Sequence, residues 1–142
     1  MAAGLEIRVV DVDDDYLGID IAASSERFSG SARLYLGFTA LSEFAGALAG
    51  FPSSNSDRRT HEFGTLDPGV AGGFVRLVFQ CVDGAGHTAI SVAIEDDPHH
   101  HSKASATFTL EFEAAELDRF LIAVRQLERA KNGHATLRAL ER

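Results

Sequence analysis

Residues 74–81, Phe74-Val75-Arg76-Leu77-Val78-Phe79-Gln80-Cys81, place Val75, Leu77, Phe79 and Cys81 on one face of an extended chain and Arg76, Val78 and Gln80 on the other. Side chains alternate across a strand, so this period-two pattern predicts a strand with one buried face. The turn Asp83-Gly84-Ala85-Gly86 follows, after which Ile90, Val92 and Ile94 alternate again. Beyond another polar stretch, Ala106, Phe108, Leu110 and Phe112 face one way and Thr107, Thr109, Glu111 and Glu113 the other. Short connections make these three strands antiparallel neighbours, because parallel pairs need long crossovers.

Upstream the same rhythm recurs. Leu5, Ile7 and Val9, then Leu17, Ile19 and Ile21, then Ala32, Leu34, Leu36 and Phe38 predict three more strands, and a short one is expected at about His61–Leu66. Between them the period changes. Leu41, Phe44, Ala45 and Leu48 share one helical stripe, with Thr39 placed to cap its start and Gly50 and Pro52 to end it. A longer stripe of Leu117, Phe120, Leu121, Val124 and Leu127 predicts a second helix over about Ala115–Lys131, closed by Gly133. The fold class is therefore α+β: a bent, mainly antiparallel six- or seven-stranded sheet with two helices packed on one face. Residues 1–133 form a single domain, and 134–142, with Leu137 and Leu140 on one side, read as a C-terminal tail or short helix.

Composition removes several function classes. Thirteen basic against 21 acidic residues give a net charge of −8, which repels phosphate backbones and anionic lipid, so neither nucleic acid nor membrane is expected as a partner. The single Cys81 cannot form an intrachain disulfide, and its face marks it as a small buried hydrophobe. No basic region followed by an apolar stretch opens the chain, and no apolar run nears the ~20 residues that span a bilayer, so a soluble cytoplasmic protein is expected. Phosphate loops, dinucleotide fingerprints and nucleophile elbows are missing, and no cofactor is expected.

Four polar clusters remain. Asp11, Asp13, Asp14 and Asp15 lack the glycine and glutamate that a calcium loop needs at its sixth and twelfth positions, which hold Tyr16 and Ala22. They read as an exposed acidic turn that, with Glu95, Asp96 and Asp97, can steer a basic protein partner. Asp57, Arg58, Arg59, His61 and Glu62 form the densest mixed cluster. A small enzyme or accessory subunit would use His61 or Glu62 as base and the arginines to hold an anion. His99 and His101 could both reach one metal ion from a flexible loop, yet nothing nearby completes a ligand set, so any binding there is expected to be adventitious.

A short helix ending Gly50-Phe51-Pro52, a glycine-led strand at Phe74-Val75-Arg76-Leu77, a Gly86-His87 hairpin, and a threonine-rich strand entering a Glu116-Leu117-Asp118-Arg119-Phe120 helix together form a pattern. Over residues 28–130 it resembles small bacterial proteins of the WapI-type immunity kind. That resemblance implies a non-enzymatic inhibitor that binds a toxin domain, and it transfers no binding residues. A basic toxin domain is then the expected partner, with a homodimer as the alternative assembly through an open sheet or the Leu137/Leu140 tail.

Overall fold

The computed structural model describes residues 3–64, 72–95 and 103–141. Their order is β1 (Gly4–Val12), β2 (Leu17–Ser24), β3 (Ser29–Leu36), α1 (Ala40–Leu48), β4 (Arg58–Gly64), β5 (Phe74–Cys81), β6 (His87–Glu95), β7 (Ser105–Glu113), α2 (Ala114–Ala130) and β8 (His134–Arg138). The α+β class, the antiparallel pairing and the two helices stand as the alternation implies. The single sheet of six or seven strands does not. Eight strands form two four-stranded sheets, β3-β2-β1-β8 and β4-β5-β6-β7.

The sheets join because β3 runs across the same end of all four strands of the second sheet. Glycine permits this close approach. A side chain at Gly30 would press on Ala106 at 3.0 Å, and one at Gly73 would meet the Glu95 carbonyl oxygen at 2.6 Å and the Ala32 methyl at 2.9 Å. The Gly73 N–H instead donates to the Arg33 carbonyl at 2.9 Å. On the far flank Leu140 N–H donates to the Glu111 carbonyl at 2.7 Å, tying the chain beyond β8 to β7.

Both helices turn their stripes into the one core that the sheets enclose. Leu41, Phe44, Ala45 and Leu48 of α1 and Leu117, Phe120, Leu121, Val124 and Leu127 of α2 are buried in it. Phe44 is its aromatic centre, with ring centroids 5.0 Å from Phe63, 6.3 Å from Phe120 and 6.4 Å from Phe79.

Residues 134–138 are neither tail nor helix. Gly133, at φ +96°, reverses the chain, and His134–Arg138 pair with Gly4–Arg8 while Ala135 and Leu137 enter the core. The residues assigned to a tail are thus an integral strand: burying alternate Ala135 and Leu137 against β1 replaces the i, i+3 relation of Leu137 and Leu140. Strand β4 also begins three residues before the expected His61, because pairing with β5 recruits Arg58, Arg59 and Thr60.

The cap of α1 comes from elsewhere too. Thr39 makes no side-chain cap bond to the backbone. Glu128 of α2, only 8 % exposed, accepts from Leu41 N–H at 2.8 Å and Ser42 N–H at 3.0 Å, and also from the Ser42 hydroxyl. A carboxylate suits the first turn, where unpaired N–H groups and the helix dipole concentrate positive charge.

Candidate binding surfaces

At the β1–β2 hairpin the register slips between Val9 and Asp11, so Asp11 stands opposite Gly18. A bulge of this kind re-aims the side chains beyond it. Gly18 leaves room for its neighbours: a Cβ there would lie 3.0 Å from the Asp11 Cβ and 3.6 Å from the Tyr35 ring. Tyr35, opposite Gly18 on β3 and 44 % exposed, packs edge-on against Tyr16 with centroids 5.4 Å apart. The turn closes through Asp13 N–H to the Tyr16 carbonyl at 3.0 Å and Asp15 N–H to the Asp13 carboxylate at 3.2 Å. Asp11, Asp13, Asp14 and Asp15 are all exposed. Their charge is felt locally: Asp13 above all, then partial burial and Asp11, raise the Tyr16 hydroxyl above its ordinary range. The hairpin is therefore an exposed tyrosine pair ringed by carboxylates.

Glu95 ends β6 in the other sheet and is exposed. Gly72 lies against Tyr35 and Gly73 against the Glu95 carbonyl, so the backbone of Glu95 comes close to the tyrosine pair. Asp96 and Asp97 lie outside the described residues, as do His99 and His101 of the metal reading.

Strand geometry separates the Asp57–Glu62 cluster. Arg59, His61 and Phe63 take the partly buried register of β4, whereas Arg58, Thr60 and Glu62 take the exposed one. His61 sits against the rings of Phe63 and Phe44, centroids 4.7 and 5.0 Å away, and burial lowers its pKa. Glu62 faces away and pairs with Arg76 at 2.6 Å. Base and anion holder thus fall on opposite faces of one strand, and the cluster does not converge as the enzyme reading requires.

Asp57 and Arg59 do meet, in a structural task. Arg59 donates to the Ala47 and Ala49 carbonyls at 3.2 and 2.9 Å, closing the C-terminal end of α1, and to Asp57 at 2.9 Å. Asp57 also accepts from Ser53 N–H at 2.8 Å and the Ser53 hydroxyl at 3.0 Å. The bond from Arg59, then that from the Ser53 backbone, hold the Asp57 carboxyl down from 3.8 to about 2. A depressed carboxyl contributes stability that is present above the unfolded pKa and is lost as pH falls through the folded one. Urea midpoints of the wild-type protein should therefore drop more steeply than those of Asp57→Asn between about pH 4 and pH 2. Parallel curves would show that Asp57 is not coupled to folding.

Cys81, at the last position of β5, is only partly buried and donates to the Ser54 carbonyl at 3.4 Å, so strand position alone overstated its burial. Tyr16 and Tyr35 were not evident as a site. Tyr35 holds a polar register in β3, the one available signal, but its pairing with Tyr16 depends on strand register. Among the described residues no group of three or more His, Cys, Asp or Glu is placed to hold a metal ion. No described helix is long and apolar enough to cross a membrane. Comparison with protein-family models, curated proteins and solved structures finds no match to this chain.

Proposed function

We propose that the protein is a cytoplasmic, non-enzymatic protein-binding module of inhibitor or immunity type, and that its partner is a basic domain such as a bacterial toxin. The acidic tyrosine pair of the β1–β2 hairpin carries this reading. Tyrosine gives a rigid apolar ring with a polar tip and is enriched at the energetic centres of interfaces. Carboxylates around it attract lysine and arginine, steer the encounter and repel acidic competitors. The net charge of −8 extends the same preference over the whole surface. No cofactor enters this reading.

The test is co-expression with the toxin domain encoded beside this protein in its native genome. Wild-type protein should restore growth, and Asp11→Lys with Asp13→Lys should abolish rescue while leaving the thermal midpoint unchanged. Added salt should slow the measured association. Rescue by the charge-reversed protein would reject the hairpin as the docking site. If no neighbouring gene product is bound or neutralised, the immunity reading fails.

A further inference from the structure

The β2–β3 turn holds an apolar ring out in water. Ser25 locks the turn: its hydroxyl accepts from Phe28 N–H at 3.0 Å and Arg27 N–H at 3.4 Å, and its own N–H donates to the Phe28 carbonyl at 2.7 Å. Phe28 is left 66 % exposed. It forms one wall of a concavity of about 470 Å³ whose other apolar walls are Ala3, Leu110 and Leu140. The floor is preformed, because Ala139 N–H donates to the Ala3 carbonyl at 3.0 Å and Leu140 N–H to the Glu111 carbonyl at 2.7 Å.

Charges of both signs stand on this wall, namely Arg27 and Glu111. Arg27 is exposed and forms no ion pair among the described residues. A uniformly basic partner would be repelled by Arg27, and a uniformly acidic one by Glu111. A surface that bears a projecting ring, an apolar hollow, a cation and an anion side by side is complementary to itself. A two-fold contact demands that, because each patch must meet its own copy. We propose that this face is the contact of a symmetric homodimer, in which Phe28 of each copy enters the concavity of the other and Arg27 faces the other copy's Glu111.

The occupant has a signature that separates it from a basic partner. Two copies at −8 repel over long range, so screening by salt should tighten this association, whereas it weakens attraction between opposite charges. The dimer face is also distinct from the acidic hairpin, since the turns at residues 13–16 and 25–28 lie at opposite ends of β2. Reversing charge at Asp11 and Asp13 should therefore leave dimerisation intact, and each proposal can fail without the other.

Sedimentation equilibrium of the full chain at about 0.05 M and 0.5 M NaCl tests the proposal. A reversible dimer that tightens at the higher salt is expected. Phe28→Ser alters an exposed side chain and should weaken the dimer by about tenfold or more, since each interface loses the ring twice. Arg27→Glu should weaken it as well, and Arg27→Glu combined with Glu111→Arg should restore it. A monomer at every concentration and salt would overturn the proposal. So would a dimer indifferent to Phe28→Ser, or a charge swap that fails to rescue while circular dichroism shows the swapped protein folded.

Discussion

Replacing Glu128 by alanine is expected to lower stability by about 2–4 kcal/mol, read as a shift of the urea midpoint at unchanged slope. The side chain is nearly fully buried and is the acceptor for two backbone N–H groups and one hydroxyl at the start of α1. Removing it strands three donors in the interior, and a buried donor left unpaired costs about 1–3 kcal/mol. The link also spans 87 residues of sequence, so it holds α2 to the end of α1 rather than supporting either helix alone. Glu128→Gln keeps the shape and one acceptor oxygen and should cost roughly half as much. Ser42→Ala should cost about 1 kcal/mol, the worth of a single hydrogen bond. Amide exchange should accelerate at Leu41 and Ser42 before it does in the sheets. A midpoint shift below about 0.5 kcal/mol for Glu128→Ala would mean that water replaces the carboxylate without loss.

Gly64→Ala is expected to cost about 3 kcal/mol or more, because two penalties coincide at one atom. Gly64 has φ +79°, a conformation that an L side chain resists at about 1–2 kcal/mol. The added methyl would also overlap the Gly73 carbonyl oxygen and lie 3.0 Å from the Leu34 side chain, at the crossing of β3 over the second sheet. Backbone on both sides of the crossing is hydrogen-bonded, so the clash cannot relax cheaply. Gly50 supplies the control. It too has φ +79°, but nothing lies within 4 Å of a Cβ there, so Gly50→Ala should cost only about 1 kcal/mol. Thermal melts of the two variants separate steric exclusion from backbone preference. Equal losses would show that the crossing can open to admit a methyl group.

Gly64 and Glu128 also mark where sequence reading stops. Alternation located the strands because burial on one face imposes period two, and the helical stripes were legible for the same reason. Closure into two sheets was not, since it depends on β3 meeting Gly30, Gly64 and Gly73 across the fold, which no local pattern encodes. The cap of α1 was sought at Thr39, its neighbour in sequence, whereas the acceptor is supplied by the far helix. Strand β8 was hidden because five residues fit a strand and a helical turn equally well. The candidate site divides along the same line. The carboxylates at Asp11–Asp15 were visible as charge, but the tyrosines they surround become one feature only through the β1–β2 and β2–β3 registers. The Asp57–Glu62 cluster misled by adjacency: consecutive residues of a strand point apart, and the period-two rule applied to Arg58–Glu62 would already have separated them.

The pairing of β1 with β8 has a kinetic consequence. The strand that leaves the ribosome first must wait for one synthesised about 120 residues later, with all of β2–α2 made in between. During that interval Gly4–Arg8 presents an unfilled edge, with Leu5 and Ile7 lacking the neighbours Ala135 and Leu137 that later cover them. Contacts so distant along the chain close slowly, and an open strand edge is a template for the wrong partner meanwhile. Glu6 and Arg8, set between the two apolar residues, place a charge of each sign on that edge. They act there as a guard for the nascent chain, discouraging pairing with a neighbouring copy until the last strand arrives.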